Sequence, residues 1–252
     1  MRNSVVIDCF PSSVSRYRHG YAVVAVDVVR ATTTAITAAA AGRRCFPVSS
    51  VNAALQLAGQ LENPLLAGEE RGVMPAGFHL NNSPAQVAAP TDVERPLILL
   101  SSSGTRLCSE AALCEAAFLA CLRNYASTAH YLAMHFPAVA LIGAGSQDEF
   151  REEDQMCCAW MAEHLLAFGY AADAKTLDIM ERWRHKPADA WITNKSAAYL
   201  RTSGQTADLE FILEHVADLS DVFALRNGEV VTEDQPLPGQ MRERAEKKPS
   251  DD

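Results

Sequence analysis

Asp27 and Arg30 stand at the end of the apolar run Tyr21 to Val26, and Thr32, Thr33 and Thr34 follow at once. A carboxylate at the mouth of a buried strand is costly to desolvate without a cation beside it. The small and hydroxylated residues after it resemble a helix start, where free N–H groups and the helix dipole favour anions. A metal-binding acid, an anion-binding guanidinium and a phosphate-tolerant helix end would then share one place, which is the outline of phosphate-ester chemistry. Three further polar clusters follow apolar runs. Glu69, Glu70 and Arg71 form the first. Ser101-Ser102-Ser103-Gly104-Thr105 offers hydroxyls and close backbone N–H groups before a helix, an anion cradle with Arg106 beside it, or otherwise a polar loop with a helix cap. Asp148, Glu149, Glu152, Glu153 and Asp154 precede a helix. Acid–dipole pairing accounts for most of them, and one or two remain for a hard cation. Mg²⁺ takes one or two protein carboxylates together with waters and substrate phosphate oxygens.

Other signals fail on inspection. Arg18-His19-Gly20 has the letters of a histidine phosphatase motif but precedes a strand where it should follow one. No Cys is followed at the required spacing by Arg, and Val29 stands where a haloacid-dehalogenase phosphatase would place its second aspartate. Gly143-Ala144-Gly145 lacks the third glycine of a dinucleotide loop, and a GxxxxGK[ST] segment is missing. Asn81-Asn82-Ser83-Pro84 is a turn by composition, with amides placed to orient a carboxylate or sulfonate, and His79 reads as a loop residue.

The elements that must position these residues alternate. Val5–Ile7, Tyr21–Val26, Cys45–Val48, Leu65–Ala67, Leu97–Leu100, Phe118–Leu122 and Val139–Ile142 read as strands. Helices are expected at Thr32–Ala41, Val51–Leu61, Arg106–Ala117, Ser127–His135, after Gly145 (with Cys157, Trp160, Met161, His164, Leu165 and Phe168 on one stripe), and over Ser196–Ala217. Val222–Leu225 and Glu229–Val231 suggest a closing hairpin. This order indicates an α/β fold, a largely parallel or mixed sheet with flanking helices and a site at the carboxyl ends of the strands. One domain is expected over residues 1–231, as a single body or as two lobes with the site between them, and a charged, disordered tail over 232–252. The formal charge of −9 argues against nucleic acid as the main partner. No apolar run approaches the roughly 20 residues of a membrane helix. Seven cysteines without a CxxC pair, and no signal peptide, suggest reduced thiols in the cytoplasm. A homodimer is the general prior for such an enzyme.

Taken in order, the clusters resemble the 2-phosphosulfolactate phosphatase (ComB-like) family. Asp27 to Thr34 matches its D-V-[LI]-R-A-T-[TS]-T segment almost fully. Gly68, Glu69, Gly77, Phe78, Asn82, Ser83 and Pro84 match its second and third motifs, and Gly104, Thr105 and Arg106 its fourth. Ala144, Gly145, Glu153 and Asp154 fit a late A-G…E-D segment, and Ser196 to Asp208 a weaker one. The resemblance spans roughly residues 4–231. It departs at Glu70, which displaces Arg71 by one place, at His79 and Asn81, which replace an aspartate and a glycine, and at Ser101–Ser103, which replace threonines and an asparagine. The resemblance implies Mg²⁺-dependent hydrolysis of a small anionic phosphoester, 2-phospho-3-sulfolactate, to 3-sulfolactate and phosphate, or of another small phospho-acid, or non-catalytic phospholigand binding on the same scaffold. On this reading Asp27 with Glu153 or Asp154 holds Mg²⁺, and Arg30 neutralises the phosphoryl group. Thr32, Thr33, Ser102, Ser103, Gly104 and Thr105 cradle its oxygens. Arg71, Asn82, Ser83 and Arg106 serve the remainder of the substrate, and Glu69 is a base or supporting acid. Attack by water and an aspartyl-phosphate intermediate both remain open.

Overall fold

Ala22–Val26 (β2) is buried at all five positions in a computed structural model of the chain, as a strand inside a sheet covered on both faces must be. The structure describes residues 3–89, 91–146 and 149–233; the tail expected from residue 232 lies outside them from 234 onward, and so does Asp148. Side chains alternate along β2. Val23 and Ala25 enter one apolar cluster, while Ala22, Val24 and Val26 enter another on the opposite face. Ala116–Ala120 (β6) and Ala138–Gly143 (β7) flank β2 in parallel, with Val24 opposite both Phe118 and Leu141. Ser4–Cys9 (β1) pairs with β7, and the two-residue Ala171–Ala172 (β8) closes that edge. Cys45–Val48 (β3), Leu65–Gly68 (β4) and Leu97–Leu100 (β5) form a second parallel group in the order β4-β5-β3.

The hairpin of Val222–Arg226 (β9) and Glu229–Glu233 (β10) joins the two groups instead of closing an edge. It pairs antiparallel to β6 on one side and to β3 on the other. Three antiparallel junctions in series reverse the second group relative to the first, so the sheet is mixed. Each strand step adds a twist of about 20–25°. Over the five steps from β5 to β2 this accumulates to on the order of 100°, which turns carboxyl ends that point oppositely in the flat diagram toward each other.

Two helices fill the concave side. Ala31–Ala40 (α1) and Gly104–Ala111 (α4) contribute Ala35, Ile36, Leu107 and Cys108 to the cluster that also holds Val23, Leu97, Leu119 and Phe223. α1 is buried from Ala31 to Ala38 and is built from alanine and threonine. Small residues allow that enclosure, and its hydroxyls are satisfied locally, Thr33 donating to Val28 O at 2.8 Å and Thr34 to Arg30 O at 3.0 Å. Val51–Ala58 (α2) packs on the second group through Ala54 against Leu66, Ile98 and Leu100, while Pro84–Ala88 (α3) lies against α1, its Val87 in the cluster of Ala35 and Ile36. Tyr125–His135 (α5), Glu152–Ala167 (α6), Ala174–Trp183 (α7), Lys195–Thr202 (α8) and Thr206–Glu214 (α9) cover the other face of the first. No described helix is long and apolar enough to cross a membrane.

Several boundaries differ from the sequence expectation. α4 ends at Ala111, and β6 begins at Ala116, two residues before the expected strand. Alanine favours helix by propensity, but Ala116 and Ala117 pair with Ala22 and Val23 in the sheet, and tertiary pairing wins. The helical stretch expected over 196–217 is two helices, broken at Gly204 with φ of 72°. Ser83 caps α3, accepting Gln86 N–H at 3.1 Å, so the Asn81–Pro84 turn leads directly into a helix. On α6 the buried face runs through Cys157, Cys158, Met161, Ala162 and Leu165, leaving His164 and Phe168 exposed.

Candidate active site

Two strand-to-helix turns build the centre of the site, and a buried threonine locks each. After β2, Thr32 Oγ1 accepts the Asp27 N–H at 2.9 Å and lies 2.8 Å from both Asp27 O and Ala120 O. After β5, Thr105 Oγ1 accepts the Ser101 N–H at 2.8 Å and donates back to Ser101 O at 2.8 Å. Each hydroxyl satisfies a donor and an acceptor where the chain leaves its strand, groups that burial would otherwise orphan. The turns meet at Gly104. A Cβ there would lie 2.0 Å from Asp27 Oδ2 and 2.5 Å from Ala31 Cβ. Asp27 therefore rests against the first residue of α4 while accepting the Ala31 N–H of α1. One carboxylate sits at the positive ends of two helices.

Three carboxyls face one another electrostatically. Burial first, and then the charges of Glu153 and Glu69, push the Asp27 carboxyl up to about 7 against the opposing Ala31 N–H and Arg30. Asp154 is raised well above the usual carboxylate range by burial and then by Asp27 and Glu153, although Val28 and Gly145 N–H groups oppose this. Its Oδ1 accepts the Val28 N–H at 2.8 Å, which places Asp154 beside the Asp27 turn. Burial also raises Glu153, whose Oε2 accepts Asn194 Nδ2 at 2.6 Å while Oε1 has no partner. Among the described residues no group of three or more His, Cys, Asp or Glu is arranged to hold a metal ion by itself.

A cavity of about 860 Å³ opens over these turns. Asp27, Arg30, Glu69, Arg71, Asn82, Ser102, Ser103, Arg106 and Asp154 line it, so four strand-end clusters and the Asn82 turn converge. The cations differ in their commitments. Arg30 Nη1 is paired with Asp208 Oδ2 and donates to Gln205 Oε1 at 2.5 Å. The Arg71 and Arg106 side chains have no hydrogen bond or ion pair with another described residue. Glu69 is occupied by neighbours. Its oxygens accept Ser102 N–H at 2.8 Å, Ser102 Oγ at 2.9 Å and Gly72 N–H at 2.6 Å. Ser102 Oγ in turn accepts Arg71 N–H at 2.7 Å. Glu69 thus fixes the Arg71 loop to the β5 turn, and Tyr199 Oη donates to Gly72 O at 2.8 Å from the far side.

Thr32, Thr33, Ser83, Gly104, Thr105 and Glu153 do not line the cavity. The Thr32, Thr33 and Thr105 hydroxyls are held by backbone groups, and Ser83 caps α3 and donates to Asp208. Glu149 pairs with Lys195 at 2.6 Å. His79 Nδ1 accepts Leu66 N–H at 3.0 Å and pins β4. Burial raises the thiols of all seven cysteines, Cys9 and Cys108 to about 12 and Cys121 to about 11, so none is a ready nucleophile. Sequence reasoning missed Gln205, Lys195 and Tyr199, and gave no role to Ser196 and Asp208, the ends of the weak late segment of the resemblance. That segment was the signal for both, and the first-turn place of Asp208 on α9 emerges only because the expected helix breaks at Gly204.

Residues 9–227 match the family model described as 2-phosphosulpholactate phosphatase. The chain belongs to that family. The family is one of phosphoric monoester hydrolases, and this chain is a phosphatase of it. A protein described as a probable 2-phosphosulfolactate phosphatase from Symbiobacterium thermophilum is 30% identical over 205 residues, 79% of this chain and 81% of its own. One so described from Deinococcus radiodurans is 31% identical over 192 residues, 74% and 80% of the two chains. Another from Carboxydothermus hydrogenoformans is 36% identical over 134 residues, 53% and 56%. In this phosphatase Asp27 and Asp154 line the same cavity as Arg71 and Arg106, whose side chains have no partner among the described residues.

Proposed function

We propose that the chain catalyses Mg²⁺-dependent hydrolysis of 2-phospho-3-sulfolactate to 3-sulfolactate and phosphate. The observation that carries this reading is the division of one cavity's lining between two buried acids, Asp27 and Asp154, and the guanidiniums of Arg30, Arg71 and Arg106, the last two without a side-chain partner among the described residues. A dianionic phosphate carried on an acid with further negative charge fits that division. Asp27 and Asp154 supply hard oxygen donors of the kind Mg²⁺ prefers, and one or two such carboxylates suffice when water and phosphate complete the set. When bound there, the ion would supply Lewis-acid stabilisation of the transferring phosphoryl charge. Arg30 offers N–H donors to the phosphoryl oxygens, and positioning with charge stabilisation makes up most of catalysis in such transfers. Arg71 and Arg106 hold the acid groups of the remainder of the substrate. The seven reduced cysteines fit a cytoplasmic setting.

Asp27 is open to two roles, anchoring the metal while water attacks phosphorus, or attacking phosphorus itself to give an aspartyl-phosphate. A burst of phosphate-free product at enzyme concentration separates the second from the first. A second substrate class, another small phospho-acid, is favoured by His79, which is committed to β4 where relatives of this pattern carry an aspartate. The test is phosphate release, with and without chelator, from phosphosulfolactate, phospholactate, phosphoglycerates and a chromogenic ester. We expect metal-dependent release, lost by about 100-fold or more in Asp27→Asn. Undiminished turnover in that variant, or no release from any ester, overturns the reading.

A further inference from the structure

Asp208 lies on α9, 178 residues from Arg30, and is almost completely buried. Its carboxylate is divided between two walls of the cavity. Oδ2 pairs with Arg30 Nη1 at the N-cap of α1, while Oδ1 accepts from Ser83 Oγ and from Ala85 N–H at 3.2 Å at the start of α3. Ser83 follows Asn82, which lines the cavity with Arg30. A guanidinium has five N–H donors. Asp208 and Gln205 take both donors of Nη1. The Nε and Nη2 donors remain, and neither atom is sealed from the cavity without a partner. Two donors held by protein thus set the plane of the remaining fork, which suits two oxygens of one phosphoryl group.

We propose that Asp208 is a positioning residue for phosphoryl binding, fixing Arg30 and the Asn82-Ser83 turn against each other so that both face one phosphate. The proposal rests on the reading of Arg30 as a phosphoryl ligand. It also explains why Arg30 alone would give the site little net positive charge. Asp208 neutralises it, and Arg30 contributes direction while Arg71 and Arg106 contribute field.

The test uses the full chain, with inorganic phosphate as an inhibitory probe beside an ester that the wild type hydrolyses. In Asp208→Asn the oxygen facing Ser83 can persist while the negative charge paired with Arg30 is lost. We expect kcat/KM, normalised to folded enzyme, to fall about 10- to 100-fold and inhibition by phosphate to weaken by a similar factor. In an Arg30→Lys background the same change should add little, because the group it orients has gone. If Asp208→Asn does not fold, Ser83→Ala removes the Ser83 bond to Asp208 together with the cap of α3; melting should fall modestly from the lost cap, and phosphate inhibition, normalised to folded enzyme, should weaken several-fold. A folded Asp208→Asn within twofold of wild type, losses that multiply with Arg30→Lys, or unchanged inhibition in Ser83→Ala would overturn the proposal. An active wild type with indifferent variants sinks this inference alone, whereas an inactive wild type sinks the proposed function and this inference with it.

Discussion

Among the described residues the Arg71 and Arg106 side chains have no partner, unlike Arg43 and Arg123 in the scaffold. Arg43 is held by Asp92 at 2.8 Å and by Arg95 O at 2.7 Å, and Arg123 by Asp218 at 2.6 Å and Thr37 at 3.0 Å. These pairs stabilise the scaffold and have no donors to spare for the cavity. Free guanidiniums on a cavity wall are instead available to a ligand, and a charge-assisted hydrogen bond contributes about 1.5–3 kcal/mol. We therefore expect Arg106→Ala and Arg71→Ala each to raise KM about 10- to 100-fold with a much smaller change in kcat, measured by steady-state phosphate release. Both residues are exposed, so melting should be almost unaffected. A fall in kcat with KM unchanged would move them from holding the substrate to stabilising the transition state. Because Arg71 has φ of 53°, its direction depends on its loop, and Glu69 fixes that loop through Gly72 and Ser102. This gives Glu69 a clear part without making it a base.

At the scale of elements, the site depends on two helix starts brought into contact. The close approach is possible because position 104 has no Cβ, and Asp27 Oδ2 and Ala31 occupy the space one would need. Gly104→Ala must displace α4 from the β2 turn or force the carboxylate away. We expect a loss of about 1–3 kcal/mol in stability, in line with overpacking elsewhere, read from urea unfolding, and a larger proportional loss of activity because Asp27 moves with it. Full activity in this variant would show that the contact between α4 and Asp27 is dispensable. The residues of this contact were legible in sequence. An apolar run ending in Asp27 and a Ser-Gly-Thr cluster after Leu97–Leu100 both marked strand ends, because buried strands and helix starts have local signatures. Placing the hairpin was not possible from sequence. Val222–Leu225 and Glu229–Val231 read correctly as two strands, but nothing local says that they pair with β6 and β3 in mid-sheet. Asp208 stood at the end of the weak late segment, but its role was hidden for the same reason: it comes from Arg30 and Ser83, more than 120 residues away in the chain.

For the whole molecule, the buried acids couple stability to pH and to metal. Asp27, Glu153 and Asp154 are all raised, Asp27 to about 7, with burial the first cause in each case. An unfolded Asp titrates near 3.9. Between about 4 and 7 the folded chain keeps protons that the unfolded chain has released, so stability falls as pH rises through that window. Asp8 and Asp218 work in the other direction. Hydrogen bonds from Lys175 and Arg123 lower them despite burial, and what they contribute is lost only on acidification below the usual carboxylate range. A comparison of about pH 5.5 with about pH 8 therefore isolates the raised acids. Without metal, the melting temperature should fall over that interval, and the fall should be shallower in Asp27→Asn, which has no proton to lose there. Mg²⁺ binds the ionised acids and competes with protons. At about 100 times its dissociation constant it adds roughly 2.7 kcal/mol, or roughly 5–10 °C for a chain of this size. That shift should appear at pH 8 and nearly vanish at pH 5.5, as followed by scanning calorimetry. An equal Mg²⁺ shift at both pH values would place the ion elsewhere. A metal-free melting temperature that rises with pH would mean that these acids are ionised in the folded chain without it, removing the main electrostatic reason for a cation between them.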